Sequence, residues 1–166
     1  MQSSVSGRIA FIGQWIAPVV FTFFLLWGRA FVGAALGWLS VVGIFFAIIM
    51  LILLYVAPVL TVFDRDVRPH ATVSGSYSLV TYLLWIGLFV MALTIPDAAD
   101  GPALPPALTV WTSGGISIEM ASFIFTLMFV FSAIMWVATV VLAIMGIVRS
   151  RRPAGAAVPR PGAYTA

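Results

Sequence analysis

Cysteine, lysine and asparagine are all absent from these 166 residues, and histidine occurs once, at His70. Without cysteine there is no disulfide, no thiolate metal site and no thiol redox chemistry. A single histidine excludes a bis-histidine haem held within one chain. Charge is the other scarcity: 8% of residues are charged and 63% are hydrophobic, against roughly a quarter charged in a soluble domain. So little charge cannot keep a folded surface in water, and the solvent it predicts is lipid. All eight basic residues are arginine, a codon bias that points to a GC-rich, bacterial genome.

What the chain does have is long runs without Asp, Glu, Lys or Arg, over 9–28, 30–63, 69–96 and 120–148. Each reaches the roughly 20 residues that cross a bilayer core as a helix. The pattern predicts an all-α integral membrane protein, a four-transmembrane-helix antiparallel bundle. Its spans are expected near 9–27, 32–57, 73–95 and 117–148, in one domain over 1–148. The second run is long enough to tilt, to bend near Pro58, or to continue past it to Phe63. The first is longer than a signal peptide's apolar region of about 7–15 residues, so it reads as a retained span. Residues 96–116 form an outer loop. The stretch 149–166 changes abruptly to Pro, Gly, Ala and Arg and reads as a disordered basic tail.

Arginine fixes the expected orientation. Arg8, Arg65, Arg68, Arg149, Arg151, Arg152 and Arg160 fall on one side of the spans, and Arg29 alone on the other. Positive residues collect on the cytoplasmic side, so both termini and the 64–72 connection are placed inside, in the plasma (inner) membrane of a bacterium. Trp27, Trp38 and Trp111 then mark the outer interface, and Tyr55, Tyr77 and Tyr82 the inner one. The net charge of +3 reports this orientation and calls for no nucleic acid.

The densest polar stretch, TVFDRDVRPHAT over 61–72, brings Asp64, Asp66 and His70 together, residue types that bind metals. Were the second helix to run on through it, the two Asp would face different sides. Asp64 and Arg68 would instead pair at i and i+4. Pro69 then ends the helix, and Thr72 or Ser74 caps the next. The reading is a surface loop with no metal site.

Two polar positions in the spans stand out. Gln14 is the amide inside the first span, suited to hydrogen bonding between helices or to hydrating a cavity. Glu119, behind Ser117 as N-cap, meets the positive end of a helix dipole; the sharper reading makes it a proton- or cation-binding acid at an outer vestibule. Gly33, Gly37 and Ser40 begin a stripe of small residues that continues through Gly43 and Ala47, a candidate packing face. Ser132, Thr139, Ala143 and Gly146 form a second. Thr22, Ser40, Thr81, Thr126, Ser132 and Thr139 are expected to bond to their own helix backbone.

No ionisable side chain lies deep in a span, and no nucleophile has a base nearby in sequence, so the chain reads as no enzyme and calls for no cofactor. The expected function is that of an accessory or scaffold subunit of the cell membrane. Its partners would be the lipid bilayer and another membrane protein or a second copy. The alternative is small-molecule or lipid transport by a homo-oligomer, with a hydrated path past Gln14 and dependence on Glu119.

Overall fold

A computed structural model describes residues 5–101 and 103–151. It is all-helical, and the described residues contain no strand beyond an isolated bridge between Asp97 and Leu104. The helices are α1 (Val5–Trp27), α2 (Leu39–Val62), α3 (Gly75–Thr94), the short α4 (Ala107–Trp111) and α5 (Ile118–Ser150). Four of them are long and apolar enough to cross a membrane. The 149–166 tail lies outside the described residues except for its first three positions, where α5 runs to Ser150 and Arg151 follows it.

Helix α3 is the inner element. Tyr77, Ser78, Thr81, Leu84, Gly87, Leu88 and Met91 are buried along it, with α1 against one side and α5 against another. On α1 the buried positions are Gly7, Ala10, Gln14, Pro18, Thr22 and Leu26, a three-to-four-residue spacing that gives one buried stripe. On α5 they are Ala121, Ser132, Thr139 and Ala143, so much of the expected second small-residue stripe faces inward. Gly87 shows why small residues matter here: a Cβ on it would strike the Ser132 hydroxyl. Helix α2 is the outer element. Only Gly43, Ala57, Pro58 and Thr61 are buried on it, while Phe45 and Phe46 are 73% and 65% exposed.

Two poles organise the chain. At the first, the start of α1 meets the connection before α3, where the Val73 amide donates to the Gly7 carbonyl (3.3 Å) and the Tyr82 hydroxyl to the Ser6 carbonyl (2.7 Å). The end of α5 joins them through Ser150 Oγ, which accepts from the Arg65 amide (3.3 Å). Arg8, Arg65, Arg68 and Arg149 all sit here. The opposite pole holds the 28–38 and 95–117 connections.

The second helix differs most from the sequence reading, starting at Leu39 rather than near Val32. Residues Gly28–Val32 form a 3₁₀ turn closed by Gly33 at φ +76°, a left-handed conformation that glycine adopts without penalty. The chain then stays irregular to Gly37, whose amide is engaged elsewhere, as described below. Helix α2 continues through Pro58 to Val62 and ends there, so 64–68 is not helical. Asp64 and Arg68 therefore make no side-chain ion pair; they share only a backbone bond from the Arg68 amide to the Asp64 carbonyl (3.2 Å). Of the two caps proposed for α3, Ser74 serves, its hydroxyl accepting from the Tyr77 amide (3.4 Å).

Candidate functional site

At the pole opposite the arginine-rich one, a loop carboxylate caps a helix to which it does not belong. The nominal N-cap of α2, Trp38, offers no side-chain acceptor. Asp97 supplies it: Oδ2 accepts from the Gly37 amide (2.9 Å) and Oδ1 from the Leu39 amide (3.0 Å). Oδ1 also accepts from the Ala98 amide (2.8 Å). A negative group at a helix N-terminus satisfies orphan N–H donors and complements the dipole. Arg29 Nη1 approaches Asp97 Oδ2 at 2.8 Å, each side chain being 1% exposed, and forms the only ion pair among the described residues. Arg29 Nη2 donates to the Pro105 carbonyl (2.8 Å). The loop over 97–105 is thereby tied to the α1–α2 connection, with Trp38 donating from its backbone to the Ala98 carbonyl (2.8 Å).

This latch explains the glycine motif. A Cβ at Gly37 would overlap the Ala98 carbonyl and the Asp97 carboxylate, whereas one at Gly33 would meet nothing. Both glycines precede α2, and Ser40, in its first turn, donates to the Gly37 carbonyl (2.7 Å). The expected helix-packing stripe therefore does not begin at Gly33 and Gly37; loop contact replaces helix contact there. Gly43, further along, does pack, against Leu26.

A second polar cluster lies between the helices. Gln14 Nε2 donates to Thr61 Oγ1 (3.0 Å), and the Tyr77 hydroxyl donates to Gln14 Oε1 (2.8 Å). Thr61 in turn donates to the Pro58 carbonyl (2.7 Å). All three side chains are buried, and the chain of bonds joins α1, α2 and α3. Gln14 was visible in the sequence as an amide within a span. Tyr77 was read as an interfacial anchor, yet it is 3% exposed. Its signal was its position one turn into a span, deep enough to need a partner for its hydroxyl. A further interhelix bond runs from Trp136 Nε1 on α5 to the Leu53 carbonyl on α2 (2.8 Å).

Two cavities flank this cluster, and Tyr77 lines both. The inner one, about 30 Å³, is lined by Gln14, Pro18, Thr81, Trp85, Trp136 and Thr139 among others. The outer one, about 100 Å³, lies at the arginine-rich pole beside Thr61, Asp64, Asp66, Ser76, Gly146 and Arg149. Three hydroxyls depart from the expected backbone bonding: Thr22 and Ser132 are buried without a hydrogen-bond partner among the described residues, and Thr81 faces the Tyr77 side chain. Thr126 and Thr139 do bond their own helix, to the Ser122 and Trp136 carbonyls. Glu119 is exposed in the first turn of α5 and lines neither cavity. Ser117 caps that helix, accepting from the Met120 amide (3.2 Å).

Comparison with protein-family models, with curated proteins and with solved structures gives no match to this chain.

Proposed function

We propose that the four long helices cross the plasma membrane of a bacterium as an antiparallel bundle with both termini cytoplasmic. In this reading the protein is a non-enzymatic accessory or scaffold subunit whose partner is another integral membrane protein. One observation carries it: the strongest buried polar groups of the helices and their connections are spent on holding the chain together. Arg29 and Asp97 neutralise each other, and Gln14, Thr61 and Tyr77 bond helix to helix. Along the spans what faces outward is apolar, above all on α2, with Phe45, Ile48, Ile49 and Ile52 each more than half exposed. Such a surface meets lipid or another apolar helix.

The test is photo-cross-linking in native membranes, with a benzophenone side chain at Phe45 or Phe123 and a buried control at Leu88. The expected result is a protein adduct of one defined mass from an exposed position and none from the control. Adducts with lipid alone, together with no loss of any neighbouring membrane activity on deletion, would exclude a scaffold role.

A second reading, transport of a small molecule, is favoured by the two cavities that meet at Tyr77. Reconstituted vesicles would then show a flux that Gln14→Leu abolishes. A flux indifferent to that change, or none, removes this reading.

A further inference from the structure

The outer cavity at the arginine-rich pole contains a carboxylate that nothing yet described explains. Asp64 is 9% exposed and has no ion pair. One of its oxygens is accounted for: Oδ1 accepts from the Asp66 amide (2.9 Å) and shapes the turn after α2. The other, Oδ2, lies against Gly146 on α5, where a Cβ would collide with it. Both residues line the cavity. A buried carboxylate without compensation is costly, so what shares its cavity decides what it does.

The lining is specific. Asp64, Asp66 and Arg149 are its charged members; Asp66 and Arg149 are exposed and of opposite sign, which leaves the buried Asp64 as the uncompensated charge. Arg149 approaches neither carboxylate within ion-pair distance. Arg65 and Arg68, in the same connection, are exposed and do not line it. Neutral oxygens complete the wall: Thr61, Ser74, Ser76 and Tyr77. The Thr61 and Tyr77 hydroxyls donate their protons elsewhere, and Thr61, which also accepts from Gln14, keeps one lone pair. A volume of about 100 Å³ has room for roughly three waters or a partly hydrated small ion, at about 30 Å³ per water.

We propose that the outer cavity binds a small monovalent cation, an alkali-metal ion or a primary ammonium, through Asp64, with the Gln14–Thr61–Tyr77 cluster as its inner wall. One unbalanced negative charge among hydroxyl oxygens suits a single positive charge; divalent sites recruit more carboxylates. The site holds equally for a scaffold or a transporter, so its fate is separable from the cross-linking and flux experiments above.

The test is thermal unfolding of the full chain in detergent, at constant ionic strength, in sodium chloride, methylammonium chloride or choline chloride. Sodium or methylammonium at tenfold over its dissociation constant raises the midpoint by roughly 3–6 °C relative to choline, which is too bulky to enter. Whichever of the two ions acts identifies the source of the charge. Asp64→Asn abolishes the shift, and Arg149→Gln, which removes the competing positive charge, enlarges it. Ser76→Ala, an exposed position, diminishes the shift and serves where Asp64→Asn does not fold. Equal midpoints in all three salts overturn the site, as does a shift that survives Asp64→Asn or is unmoved by both Arg149→Gln and Ser76→Ala.

Discussion

Asp97 has four partners, three amides and one guanidinium, whereas Arg29 has two. The two members of this ion pair are therefore unequal. Asp97→Ala strands a buried guanidinium and uncaps α2, at a cost of about 3–5 kcal/mol. Arg29→Met leaves a carboxylate still held by backbone donors, and its cost is about 1–3 kcal/mol. Arg29 also keeps Nε without a partner, so its replacement by a thioether strands nothing further on that side chain. Thermal unfolding of both variants in detergent checks the order; an Arg29 variant that is the less stable of the two contradicts it. The inner cluster yields to a similar argument. Gln14→Leu removes the acceptor of the Tyr77 hydroxyl, costing about 1–2 kcal/mol. Adding Tyr77→Phe removes the stranded donor and recovers part of the loss, a coupling that a double-mutant cycle reads directly. Additive losses would mean that the bond between them contributes nothing.

Helices meet here through small residues, and glycine substitutions separate packing from propensity. Gly75 opens α3 and a Cβ on it would meet nothing, whereas one on Gly87, three turns on, would strike Ser132 on α5. Gly75→Ala is thus expected to stabilise by about 0.5–1 kcal/mol. Gly87→Ala destabilises by about 1–3 kcal/mol through overpacking. Opposite signs in the same unfolding assay are the check; a common sign would mean that α3 and α5 adjust freely. The positions of α1, α3 and α5 were legible from charge-free runs because apolar composition is itself the signal in lipid, though α1 starts at Val5 and takes in Arg8. The start of α2 was not. Its seven residues from Val32 are as free of charge as the helix they precede, and a carboxylate 60 positions from Gly37 captures the amides that would otherwise continue it. No local pattern carries that information. Glycines spaced four apart read as a packing stripe for the same reason, since the stripe presumes a helix that Asp97 prevents.

Across the whole molecule, opposite charges were legible singly but not as partners. Arg29 was the lone basic residue on its side, and Asp97 sat in the loop on that same side; their pairing needed the loop to fold back over the α1–α2 connection. Tyr77 and Thr61 were hidden because a hydroxyl in an apolar helix ordinarily bonds its own backbone, and only the third dimension puts Gln14 between them. The pairing also bears on orientation. With Arg29 neutralised by Asp97, the outer pole of the proposed topology presents no free positive charge. Arg8, Arg65, Arg68 and Arg149 have no ion pair among the described residues at the other pole, so the charge bias that orients a membrane protein is sharper than the count of arginines implies. The absence of cysteine makes this directly measurable, because a single introduced thiol has no background. A membrane-impermeant maleimide will label Ala99→Cys on intact cells and will reach Arg65→Cys only after permeabilisation. Both positions are exposed, so a failure to label reports sidedness rather than burial. Labelling of position 65 from outside would invert the topology, and with it the cytoplasmic supply of any cation that reaches Asp64.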